Sequence, residues 1–169
     1  MVFDVSVVYL VKGEGRGQQV LLGEKLTGLG LGKLVGPGGK SEGAETPAET
    51  AVREVWEEVG VHLEPADLKP LAVSEYPFID RPALSQRSHA FMASTFRGEP
   101  RSSSELEPGW WDMAHIPFDR MWSDAGLWLP RAFAGEFLRA TFEIGPDNSV
   151  VSEATTWSHS AGTNPGFLG

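Results

Sequence analysis

Three glutamates, Glu54, Glu57 and Glu58, stand at i, i+3 and i+4 in the stretch from Arg53 to Val61, "REVWEEVGV". On a helix that spacing projects all three from one surface. Like charges so arranged destabilise a helix by roughly 0.2–0.5 kcal/mol per pair. In the last turns they also oppose the negative end of the helix dipole. A solvated acidic face is the plain alternative, because charge runs usually serve solubility. A bound divalent cation would reverse both penalties. Oxygen ligands without His or Cys in the set favour Mg²⁺, with Mn²⁺ as the second choice, over zinc. Just upstream, Gly36-Pro37-Gly38-Gly39 can bring backbone amides and carbonyls to the same ion or to a phosphate.

The helix that must present these carboxylates is marked at both ends. Thr46-Pro47-Ala48-Glu49 reads as a capping box with proline at the first helical position, and Gly60 reads as the terminating glycine. The spacing predicts a helix over about Pro47 to Val59, with Ala48, Ala51, Val52, Val55 and Val59 on a core-facing stripe. A second helix is predicted from Pro130 to Ala140, "PRAFAGEFLRA". Strand-like runs lie at Val5–Val11, Gln19–Glu24 and Ala90–Phe96, with weaker ones at Ala72–Tyr76 and Trp110–Asp112. "KGEGRG", "LTGLGLGK" and "RGEPRSSSELEPG" read as loops. Several strands with two helices imply a layered α/β or α+β domain rather than a doubly wound sheet. The composition turns Gly-, Ser- and Thr-rich after Val151, so the domain is expected over 1–150 and a loosely ordered tail over 151–169.

Composition narrows the function. The 169 residues suit one domain, with 41% hydrophobic residues to build a core. With 23 acidic against 14 basic residues the net charge is −9, which argues against nucleic-acid and anionic-membrane partners. There is no cysteine, which excludes disulfides, thiolate catalysis and Cys-ligated metals. The N-terminus, "MVFDVSVVYLVKG", lacks the basic start of a signal peptide, and a cytoplasmic protein with no implied protein partner is expected.

Gly39, five residues, Glu45, seven residues and then "REVWEEVGV" together resemble the Nudix box without a substitution. The resemblance implies an α/β fold, an α/β/α sandwich around a mixed sheet, and hydrolysis of a nucleoside diphosphate linked to another group. It implies that Glu54, Glu57 and Glu58 bind the metal with the Gly38 carbonyl as a further ligand. Arg53 would pair with and orient Glu45 and Glu57, and Gly39, Glu45 and Gly60 would be structural. Two candidates stand for the general base, Glu54 and Glu105, the latter in "SSSELEPGWW"; Glu105 is otherwise a solvated loop residue.

Beyond the box, "VLLGEKLTGLGLGKLVGPGGK" and "WWDMAHIPFDRMWSDAGLWLPRAF" resemble the MutT-like oxidised purine nucleoside triphosphatases, most nearly the animal type that acts on 8-oxo-dGTP and 2-hydroxy-dATP. That likeness spans about residues 4–150. It implies that Trp122 stacks on the purine, that Asp124 hydrogen-bonds the base edge, and that Lys25 lies near the pocket mouth. Trp128 is read as core. Four pocket positions depart from that pattern: Val35 and Ala125 stand for an Asn and an Asp, and Leu29 and Ser74 stand for aromatics, while Tyr76 keeps a ring. Two other readings remain open. Pro77, sixteen residues after Val61, resembles the ADP-ribose-hydrolysing branch of the family, and a nucleotide sensor would bind without turnover.

Overall fold

The computed structural model describes residues 2–159. Among these residues the elements run β1 (Phe3–Lys12), β2 (Gln19–Lys25), β3 (Leu34–Val35), β4 (Gly38–Lys40), α1 (Pro47–Val59), β5 (Lys69–Tyr76), β6 (Gln86–Ala93), β7 (Leu106–Asp112), α2 (Ala125–Phe133), β8 (Phe137–Ile144) and β9 (Val150–Ser158). The nine strands form one mixed sheet in the order β3-β2-β1-β6-β5-β8-β9, with β4 on β1 and β7 on β2. The β1–β6 and β5–β8 pairs are parallel.

β1 explains both the layering and the position of the site. Its residues alternate between faces, as a strand requires. Val8 and Leu10 face α1 through Ala51, Val55 and Val59, while Tyr9 and Val11 face α2 through Trp128, Leu129 and Ala132. A strand covered on both faces must be apolar at consecutive positions, which accounts for the run "VVYLV". Burying each such large side chain contributes about 1.5–3 kcal/mol. The architecture is therefore the expected α/β/α sandwich.

One edge of β1 pairs with β6 from Phe3 to Leu10. The other edge forks: Val5–Val7 pair with β4, and Val11 and Lys12 pair with β2. The chain crosses the fork at Gly36-Pro37, where the Val8 amide donates to the Pro37 carbonyl at 2.9 Å. β4 approaches β1 so closely that a Cβ on Gly38 would lie 2.1 Å from the Ser6 carbonyl oxygen, so only glycine fits there.

α1 forms as its ends predict. Thr46 Oγ1 accepts from the Glu49 amide at 3.2 Å, the Glu49 carboxylate accepts from the Thr46 amide at 2.8 Å, and Gly60 closes the helix at φ 69°. The buried Ser6 hydroxyl donates to the Pro47 carbonyl at 2.7 Å and ties the start of α1 to β1.

Three expectations need correction. The second helix is Ala125–Phe133, with Pro130 inside it rather than at its start. Gly135, at φ 109°, follows it, and Phe137–Ile144 forms β8. Phe137, Leu138, Phe142 and Ile144 are all buried there, and a one-sided helix could not bury them so. The third strand is Gln86–Ala93, so it begins earlier than Ala90 and ends before Phe96. Finally, Val150–Ser158 is not loose: it is β9, hydrogen-bonded along β8, with Trp157 under the Arg131 guanidinium at 4.1 Å. Its β-branched Val and Thr residues suit an edge strand, which bonds through backbone and so escapes a reading based on burial. The remainder of the expected tail, 160–169, lies outside the described residues. No helix among the described residues is long and apolar enough to cross a membrane.

Replacing Thr46 by Ala removes one half of the capping box, and urea unfolding should show a loss of about 1 kcal/mol. An unchanged midpoint would mean that the box contributes nothing to holding α1.

Candidate active site

Arg53 organises the acidic end. Its Nε donates to Glu45 Oε1 at 2.6 Å and its Nη2 to Glu45 Oε2 at 3.0 Å, a bidentate pair. Nη2 also donates to the Lys40 carbonyl at 2.8 Å. Nη1 reaches Glu54 at 2.7 Å and Glu57 at 3.2 Å. One guanidinium thus joins the loop before α1, the end of β4 and two box carboxylates. Arg53 holds the Glu45 carboxyl well below its ordinary range, at about 2.

The three box glutamates differ more than their shared arc suggests. Glu54 is buried at 9% exposure beneath β4, and a Cβ on Gly39 would lie 2.5 Å from its Cδ. Glu57 is exposed, its side chain 53% accessible. Glu58 is partly buried and accepts from the Gly38 amide at 3.2 Å. Burial raises the pKa of Glu54 despite Arg53. Burial also pushes Glu58 up to about 7, opposed by the Gly38 amide and reinforced by Glu54 and Glu105. Glu105 is exposed in the loop entering β7, where its carbonyl accepts from the Leu26 amide at 2.9 Å.

Among the described residues no group of three His, Cys, Asp or Glu side chains is arranged to hold a metal ion. Glu54 and Glu57 turn to Arg53 instead, and Glu58 to Gly38. The chemistry of these side chains nonetheless fits a hard divalent cation: Glu54, Glu57 and Glu58 all offer carboxylate oxygens, and burial, with the Glu54 and Glu105 charges, raises the proton affinity of Glu58. The glycine floor at Gly38 and Gly39 leaves the carboxylates open to the backbone of β4.

A cavity of about 500 Å³ begins at this acidic end and runs along the α2 face of the sheet. Gly38, Gly39, Glu58, Lys25 and Lys40 line its acidic end. Tyr76, Trp122, Asp124 and Trp128 line the other. Val35, Leu29 and Ala125 also line it, so three of the departures from the family pattern face its contents. The fourth, Ser74, is buried on β5. Trp122 meets the ring of Phe78 edge-on at 6.2 Å, and Lys33 Nζ lies 5.4 Å from its centroid.

Asp124 is only 4% exposed. Its Oδ2 accepts from the Tyr76 hydroxyl at 2.7 Å and from Trp128 Nε1 at 2.9 Å. Burial raises its pKa, and those two bonds oppose the rise. Burial and the neighbouring Asp124 charge lift the Tyr76 phenol well above its ordinary value, so it remains a donor. Trp128, read as core, is buried and also holds Asp124. Tyr9, Phe78 and Met121 line the same cavity and were not singled out from sequence. Tyr9 could have been found from alternation, since it faces away from Val8 and Leu10. Phe78, in a loop, carries no periodic signal.

One cavity thus joins an acidic, glycine-floored end to an aromatic, carboxylate-bearing end. A model of the NUDIX domain matches residues 2–132, and the chain belongs to the Nudix hydrolase family. It is 40% identical over 112 residues to an oxidized purine nucleoside triphosphate hydrolase of Danio rerio, a match covering 66% of this chain and 70% of that one. It is 35% identical over 135 residues to the protein of the same description from Mus musculus, covering 80% and 85%. The crystal structure of a MutT protein from Bacillus halodurans superposes with a TM-score of 0.77 at 25% identity, covering 91% of this chain and 97% of that one.

The raised Glu58 carboxyl predicts a pH effect of definite sign. Its ordinary value is 4.5 and its folded value about 7, so ionisation costs the folded state stability as pH rises through that window. With chelator present, Glu58→Gln should be more stable than wild type at pH 8, with the difference shrinking towards pH 4. Thermal denaturation at both pH values checks this, and a pH-independent difference would contradict it.

Proposed function

We propose that this chain hydrolyses oxidised purine nucleoside triphosphates to the monophosphate and pyrophosphate, sanitising the nucleotide pool of the cytoplasm. The observation that carries this reading is the single cavity lined by both Glu58 and the Trp122–Asp124 pair. The two relatives described as oxidized purine nucleoside triphosphate hydrolases support the substrate class.

Glu54, Glu57 and Glu58, with the Gly38 carbonyl, would hold Mg²⁺ or Mn²⁺. A divalent cation bound there neutralises phosphate charge and lowers the pKa of coordinated water. Arg53 orients Glu54 and Glu57 through its bonds at 2.7 and 3.2 Å. Lys25 and Lys40, in the cavity lining, offset the −9 charge where the phosphates enter. Trp122 stacks on the purine and Asp124 accepts from its edge. For the proton acceptor, Glu54 is the stronger candidate, being buried against the Gly39 backbone. Glu105 is the second, an exposed carboxylate whose field reaches Glu54 and Glu58.

Pro77, the residue behind the ADP-ribose reading, has a structural occupation: its carbonyl accepts from the Ile144 amide at 2.8 Å and ties the end of β5 to β8.

The test is a panel of 8-oxo-dGTP, 2-hydroxy-dATP, dGTP and ADP-ribose with Mg²⁺, products separated by chromatography. Preferential release of monophosphate and pyrophosphate from an oxidised purine is expected. Trp122→Ala should raise KM for that substrate about 5- to 100-fold, the equivalent of a stacking contact, and change kcat less. AMP and ribose phosphate from ADP-ribose alone, or binding without turnover, would contradict the proposal.

A further inference from the structure

Asp124 is clamped from two layers of the fold. Tyr76 ends β5 in the sheet, and Trp128 lies on α2 four residues beyond Asp124. Both donate to the same oxygen, Oδ2, at 2.7 and 2.9 Å. A planar carboxyl held by two donors on one oxygen cannot rotate freely, and Oδ1 takes neither bond. The Tyr76 hydroxyl is not explained by packing. Its ring stacks on Phe142 at 5.7 Å, a contact that phenylalanine would make as well.

The walls around this carboxyl make its orientation matter more. Ala125 follows it in the cavity lining with a methyl group, and Val35 contributes only apolar surface. Neither can substitute for a misdirected Asp124. A base carrying an N–H donor along its edge would then meet one well-directed acceptor. A hydrogen bond to a charged group contributes about 1.5–3 kcal/mol, provided that the acceptor is already aimed.

We propose that Tyr76 is a positioning residue for base selection: its hydroxyl, with the Trp128 indole, occupies Oδ2 and turns Oδ1 of Asp124 to the base as the selecting atom. This rests on the reading that the cavity takes a purine nucleotide. Losing the hydroxyl leaves Oδ2 with a single tether and frees the carboxyl to rotate. The consequence falls on choice between bases rather than on phosphate chemistry, because Tyr76 makes no bond to the Arg53 cluster.

The experiment compares wild type, Tyr76→Phe, Asp124→Ala and the double variant. Each is measured for kcat and KM on the oxidised purine triphosphate that wild type prefers and on its unmodified counterpart. Tyr76→Phe is expected to raise KM for the preferred substrate about tenfold, the loss of one hydrogen bond to a charged group. Its kcat should stay within about twofold, and the preference for the oxidised base should narrow about tenfold. In the Asp124→Ala background the same change should have no further effect on preference, since the residue it positions is gone. A selective wild type whose preference survives Tyr76→Phe overturns the proposal alone. So does an equal loss in the Asp124→Ala background. A wild type that turns over no purine triphosphate overturns the underlying reading and this proposal with it.

Discussion

One guanidinium holds most of the acidic end together, Glu58 resting on the Gly38 amide instead. Arg53 binds Glu45 with two parallel bonds, takes the Lys40 carbonyl, and reaches Glu54 and Glu57 from the same nitrogen. Without it, Glu45 would keep only the Thr50 hydroxyl of α1 and the Glu42 amide as partners, and buried Glu54 would be left without its counter-charge. Removing one partner of a buried pair is far more costly than the pair is stabilising, because the survivor keeps its desolvation penalty. The planar fork of arginine suits this duty, and a lysine could not make the same set of bonds. Arg53 therefore serves fold and site at once.

The second constraint is the fork in β1. A strand whose outer edge is shared by β4 and β2 leaves a gap where neither pairs, and Gly36-Pro37 spans it. The cavity lies on the α2 face beside that gap. It connects the glycines of β4, under which Glu54 lies, to the residues that follow β7 and open α2. The box carboxylates come from the helix on one face of the sheet, and Trp122, Asp124 and Trp128 from the helix side of the other. Between the two lies β4, whose Gly38 and Gly39 carry no side chain; a Cβ there would collide with backbone and with Glu54.

The parts of this arrangement legible in sequence are those with local causes. The capping box, the Gly60 terminus and the apolar stripe of α1 are interactions within a single helix, so their spacing carries them. The strands β1 and β2 were legible for a similar reason, their apolar runs being continuous. β8 was not, because "EFLRATFEI" holds apolar residues at spacings that fit either period, and only pairing with β5 and β9 decides for a strand. β9 was hidden because its side chains are mostly exposed and its stabilisation lies in backbone bonds. The site divides along the same line. The spacing of the box glutamates predicted a shared direction, yet burial separates them, with Glu54 beneath β4 and Glu57 in solvent. The bond from Tyr76 to Asp124 joins residues 48 apart and leaves no trace in local pattern.

The central claim is that the cluster around Arg53 is a divalent-cation site. Titration of the full chain with Mn²⁺, free ion followed by electron paramagnetic resonance in the absence of nucleotide, tests it without reference to turnover. The account predicts saturable binding in wild type that weakens at least about tenfold when Glu54, Glu57 and Glu58 are changed together to Gln, a loss that even an indirect metal partner can cause. Equal Mn²⁺ affinity in wild type and the triple variant, with both folded, would contradict it.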